Sequence, residues 1–122
     1  MKRIMCIFLC VLPFLIVSCS NPVGISNKDL TVLVENSALK ISNHSTQKVY
    51  YFTVEQNAAA KINWVAGFNG PYISVGQTAE VQFDKIYSDN QPIRKGDKVI
   101  LYYWSKPEPG NDLVIKNLLV VI

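Results

Sequence analysis

A single histidine, His44, nine carboxylates and three cysteines are what this chain offers for acid–base, nucleophilic or metal chemistry. A hydrolase needs a nucleophile, a base and a group that orients the base. His44 lies in the polar stretch Asn43-His44-Ser45-Thr46, where a solvated turn residue is the simplest role, and one histidine cannot build the usual metal-ligand set. The carboxylates are dispersed. Glu35, Glu55 and Glu80 fall at outward positions of apolar–polar alternation, while Asp84, Asp89, Asp97 and Asp112 lie in or beside turns, where aspartate commonly bonds its own backbone. A glycosidase would need two carboxyl groups facing each other at about 5–10 Å, and this scatter does not point to such a pair. No Gly-rich phosphate loop and no calcium-loop spacing of acids is present. The expectation is a protein that is not an enzyme and uses no metal or cofactor.

Cys19 is the cysteine whose surroundings imply chemistry. Lys2 and Arg3 precede an apolar run from Ile4 to Val17, about 14 residues and so within the range of a secretory signal. Spanning a bilayer takes roughly 20 apolar residues, and Pro13 disfavours a long regular helix. Ser18 is the small residue before the cut. The four residues Ile16-Val17-Ser18-Cys19 resemble a bacterial lipobox. That resemblance implies removal of residues 1–18, a diacylglyceryl thioether on Cys19, and acylation of its new amino terminus with palmitate or a similar chain. Two or three such chains hold a protein at a membrane, at about 0.8 kcal/mol per buried methylene. Cys6 and Cys10 leave with the signal, so the mature chain keeps no thiol for disulfide, metal or catalysis. Ser20 stands where an aspartate would signal inner-membrane retention, which favours the outer membrane, with the domain facing the periplasm.

Removing residues 1–18 leaves 104 of 122 residues, enough for one domain with one core. The net charge of +3 falls to about +1 without Lys2 and Arg3, and the lysines are scattered, so nucleic acid is not an expected partner. Residues 19–29, rich in Ser, Asn, Pro and Gly, read as a lipidated tether.

From residue 30 to 122 strands alternate with turn residues. Leu30, Val32 and Val34 alternate with Thr31 and Glu35, Asn36-Ser37 is a two-residue turn, and Leu39 and Ile41 continue the alternation. Lys48–Glu55, rich in β-branched and aromatic residues, has strong strand propensity. Ala60–Val65 is a weaker strand, with a helical turn competing near Ala58-Ala59-Ala60. Thr78–Phe83, Lys98–Ser105 and Leu113–Ile122 complete about seven strands, with Pro107–Asp112 a turn. Such a pattern without a convincing helix predicts an all-β antiparallel sandwich. Its core would hold Val32, Val34, Ile41, Phe52, Val54, Val81, Phe83, Leu101 and Ile115. The segments Leu39-Lys40-Ile41-Ser42-Asn43-His44-Ser45 and Ile73-Ser74-Val75-Gly76-Gln77-Thr78-Ala79-Glu80-Val81 resemble those of bacterial immunoglobulin-like domains, without the cysteine pair of antibody domains. The resemblance implies that the strands at Lys48–Glu55 and Lys98–Ser105 are neighbours in one sheet. The clusters Tyr50-Tyr51-Phe52 and Tyr102-Tyr103-Trp104 also resemble small bacterial envelope proteins, for which no activity is implied.

Charge and hydroxyl parity place Val49, Tyr51, Thr53 and Glu55 on one face, and Ile100, Tyr102 and Trp104 away from the core. Tyr51, Tyr102 and Trp104 would then form one exposed aromatic strip, a candidate face for a protein, peptide or glycan. Alternatively the Ala58–Tyr72 excursion folds over these rings with Trp64 and Phe68, making a second small core. The functional expectation is a lipid-anchored envelope protein with a non-catalytic binding or accessory role. The rival is a surface-anchored inhibitor of an enzyme such as lysozyme or a protease, acting through a protruding loop at Lys85–Gly96.

Overall fold

Alternation becomes strand wherever one set of side chains can be buried against a second layer. In the computed structural model, which describes residues 23–122, eight strands form: β1 (Val23–Ser26), β2 (Leu30–Glu35), β3 (Ala38–Asn43), β4 (Val49–Glu55), β5 (Tyr72–Ile73), β6 (Thr78–Gln82), β7 (Lys98–Trp104) and β8 (Lys116–Val121). They make two antiparallel sheets, ordered β1-β2-β3-β6 and β5-β4-β7-β8. The chain crosses between sheets after β3, β5 and β6 and closes with the β7–β8 hairpin, giving the expected immunoglobulin-like sandwich. The neighbours β4 and β7 pair from Tyr50↔Trp104 to Glu55↔Val99. The residues of the signal segment, and Cys19 with it, lie outside the described residues.

Leu30, Val32, Leu39, Ile41 and Val81 of the first sheet pack against Val49, Val99, Leu101, Tyr103 and Val120 of the second, with Ile73, Ile86 and Ile93 closing the ends. Asn36-Ser37 forms the two-residue turn between Glu35 and its partner Ala38. Asn36 takes φ 49° there, a left-handed conformation that asparagine tolerates.

Asn43 is the polar residue at the heart of the frame. It is completely buried, and every polar group of its side chain is used. Its Nδ2 donates to the Gln47 and Ile73 carbonyls, each at 2.9 Å, and its Oδ1 accepts from Ser45 N–H and Oγ–H at 2.9 and 2.7 Å. One side chain thus closes the β3–β4 turn and ties it to the end of β5. The asparagine in the segment resembling immunoglobulin-like domains is a structural clip.

Several expectations are corrected. Val23–Ser26 is not tether: it pairs with β2 from Val23↔Val34 to Ser26↔Thr31, because the outer edge of β2 has backbone groups to satisfy. Gly24 permits this close pairing, since a Cβ there would meet a Leu33 methyl at 2.7 Å and the Val32 carbonyl at 2.9 Å. Ala60–Val65 forms no strand. Instead Gln56–Ala59 makes one helical turn, capped by the Glu55 carboxylate accepting from Asn57 and Ala58 N–H at 3.0 Å each. Glu55 is therefore a cap and not a solvent-face marker. The strand from Thr78 ends at Gln82, and Phe83 opens a 3-10 turn. The last strand starts at Lys116, leaving Ile115 43% exposed and outside the core.

The sandwich has two distinct ends. Asn27–Asp29, the β3–β4 turn and the β7–β8 loop lie at one, called the upper end. Val23, Asn36-Ser37 and the segment from Phe83 to Lys98 lie at the other, the lower end. This follows from the registers, which set Leu30 beside Asn43 and Val23 beside Val34.

Candidate functional site

The aromatic face is covered. On β4 it is Val49, Tyr51 and Thr53 that face the first sheet, with Tyr51 packed against the main core. Tyr50, Phe52 and Val54 point outward, the reverse of the parity read from charge. On β7 the parity holds: Tyr103 is inward, Tyr102 and Trp104 outward. Tyr51 is thus separated from Tyr102 and Trp104 by the thickness of the sheet, and the three rings form no common strip. The chain after the helical turn returns over the outer face and lays Trp64 on it. The Trp64 ring lies 5.0 Å from Phe52, 4.9 Å from Tyr102 and 5.5 Å from Trp104. Trp104 Nε1 donates to the Gly67 carbonyl at 2.9 Å, and Trp104 is 6% exposed. Phe68 adds an edge contact to Tyr50 at 5.2 Å. Phe52 and Val54, expected in the main core, belong to this outer layer, so the alternative of a second small core describes the face.

A concave site exists at the upper end. A cleft of about 420 Å³ opens between the β3–β4 turn, with Ser45, Thr46 and Gln47, and the β7–β8 loop, with Lys106, Glu108, Asn111 and Asp112. Its floor carries Asp29, Tyr103 and Lys116. Asn27 Nδ2 donates to the Tyr103 oxygen at 2.8 Å, and the Tyr103 hydroxyl donates to Asp29 Oδ2 at 3.3 Å. The same Asp29 oxygen accepts from Lys116 Nζ at 3.1 Å. Asn27 is itself held, its Oδ1 accepting from Asp29 and Leu30 N–H at 2.9 and 2.8 Å. Burial raises the Tyr103 pKa above 10.0, outweighing the Asn27 hydrogen bond that lowers it, and the Asp29 charge adds to the rise. The phenol therefore stays a neutral donor in a fixed direction.

Sequence reasoning missed this cluster because Asn27 and Asp29 fall in the segment read as tether. One signal could have found it. Tyr103 has inward parity, and a buried tyrosine hydroxyl needs a polar partner.

His44 is exposed, as a turn residue would be, with Nε2 2.9 Å from Thr31 Oγ1. It is not among the residues lining the cleft. No group of three His, Cys, Asp or Glu residues that could hold a metal occurs among the described residues, and no helix there is long and apolar enough to cross a membrane. The Lys85–Gly96 segment is tied down: Ile86 and Ile93 are buried, Tyr87 exchanges backbone bonds with Thr53 and Glu55 of β4, and Asp89 pairs with Lys61 at 2.9 Å. No family model matches the chain, and neither the curated proteins nor the solved structures return a match.

Proposed function

We propose that this chain is a lipid-anchored protein of the bacterial cell envelope whose sandwich is a non-catalytic binding module, taking its ligand in the upper cleft. The observation that carries this reading is the cleft itself. Its volume is within the range of ligand sites, its floor is held rigid by the Asn27–Tyr103–Asp29–Lys116 network, and its rim presents polar side chains on two loops of a stable frame. Thr46, Gln47 and Asn111 make no side-chain hydrogen bond among the described residues, which leaves their donors and acceptors for a ligand. The lining mixes hydroxyls, amides and both signs of charge. That suits a polar ligand such as a peptide or glycan, and the outer-membrane, periplasm-facing location rests on the lipobox and Ser20.

The inhibitor reading would need a protruding loop, and Lys85–Gly96 is held against β4 at the lower end, from which the tether leaves. The cleft is the better supported surface. Two experiments test the proposal. Radioactive palmitate should label the wild type and not Cys19→Ala; persistent labelling would end the anchor. A photo-crosslinking residue at Asn111 should capture an envelope component in living cells, while one at Val65 on the outer face should not. Capture at Val65 alone would move the binding site to the outer face and refute the cleft.

A further inference from the structure

The lower end differs in kind from the cleft end. Three residues separate Cys19 from Val23, so the two are at most about 14 Å apart along extended chain, and Val23 starts β1 at the lower end beside Val34. An acylated Cys19 thus holds this end, and not the cleft, next to the bilayer. The surface there fits that neighbour. Phe83, Pro92 and Ile93 line a groove with Ser37, Gln82 and Asp84. Around it stand Lys85, Arg94, Lys95 and Lys98, all exposed and none in an ion pair among the described residues. The carboxylates at the same end are Asp84, Asp89, which pairs with Lys61, Glu55, which caps the helical turn after β4, and Asp97, whose Oδ2 accepts from Arg94 N–H at 2.8 Å; Ile122 is bonded beside Asp97. Glu35, at the same end, is matched by Lys40 at 3.0 Å. Four cations without an ion-pair partner among the described residues, beside a partly apolar groove, make a surface suited to anionic headgroups.

We propose that the lower end docks on the anionic lipid surface in a fixed orientation, so that the cleft is presented on the membrane-distal side. This rests on the acylation of Cys19 proposed above. The attraction acts within a Debye length of about 10 Å at 0.1 M salt, a distance the short tether enforces. The upper cleft then meets water-borne or cell-wall ligands and is kept from lipid.

The full chain allows a clean test, because signal removal takes Cys6 and Cys10 and acylation uses Cys19. Ser37→Cys at the lower end and Thr46→Cys at the cleft each give one thiol for an environment-sensitive fluorophore. The lipidated variants are placed in phosphatidylglycerol-containing vesicles that carry a headgroup quencher, and intact mass reports acylation. Quenching should be several-fold stronger at position 37 than at 46. The difference should shrink with Lys85→Gln, Arg94→Gln and Lys95→Gln combined, in pure phosphatidylcholine, or in high salt. Equal quenching at the two positions on acylated protein would overturn the orientation. A difference indifferent to charge and salt would overturn the electrostatic docking. A mass without lipid would overturn the anchor instead, and so separates the two failures.

Discussion

Replacing Trp104 by alanine tests whether the outer aromatic face is a sealed layer. Trp104 is 6% exposed, stacks obliquely 5.5 Å from Trp64 and donates to the Gly67 carbonyl at 2.9 Å. Truncating a buried tryptophan costs about 3–5 kcal/mol through lost burial and the cavity left behind. The exposed Gly67 carbonyl can turn to water, so the lost hydrogen bond adds little. In a domain of this size each kcal/mol shifts Tm by about 4–8 °C, and the melting temperature should fall by roughly 12 °C or more. Trp104→Phe keeps most of the ring and loses the donor, and should cost only about 1–2 kcal/mol. Val65, 89% exposed on the same excursion, is the control; Val65→Ala should stay within about 0.5 kcal/mol. Urea denaturation followed by far-ultraviolet circular dichroism measures all three, provided the m-value is unchanged. A double-mutant cycle with Trp64→Ala should return a coupling of about 0.5–1.5 kcal/mol. A Trp104→Ala cost below about 1 kcal/mol would mean that Trp64 does not seal the face, and the covered-layer reasoning would fail.

Asn43→Leu should cost about 2–4 kcal/mol, because it removes the donor to the Ile73 carbonyl and the acceptor for Ser45 N–H at a fully buried position, while the Gln47 carbonyl keeps Ser45 Oγ as a donor; urea denaturation reads it, and a change under about 0.5 kcal/mol would remove the clip. Gly24→Ala, though at an exposed residue, should destabilise by about 1–2 kcal/mol, because its Cβ would lie 2.9 Å from the Val32 carbonyl; a neutral result would return Val23–Ser26 to the tether. Tyr51 and Tyr103 have pKa values raised above 10.0, by burial in both cases. Their folded values exceed the unfolded one, so the stability they carry is full below pH 10.0 and is lost as pH rises through the folded values. Absorbance titration should show a late phenol ionisation that accompanies unfolding; the absence of any ionisation step coupled to unfolding would contradict it.

The strand pattern was legible because alternation and turn chemistry are local. Leu30–Glu35, the Asn36-Ser37 turn and Lys98–Trp104 follow from residues within a few positions of each other, and a sandwich is the architecture that buries so many half-apolar strands. The cluster of Asn27, Asp29, Tyr103 and Lys116 was not legible, since bonded members lie as far as 87 positions apart and meet only when β1–β2 and β7–β8 close one end of the sandwich. The faces of β4 were decided by tertiary structure for a different reason. Both of its faces are buried, one by the opposite sheet and one by Trp64, so apolar alternation carries no sign, and Glu55, the charge that set the parity, caps a helical turn. By itself the sequence determined most of the strands, those at Leu30–Glu35, Val49–Glu55 and Lys98–Trp104 among them, but not Val23–Ser26. Only the fold decided which side of β4 is inside, because that depends on a lid arriving from residues 60–68, a distant segment with no strand period of its own.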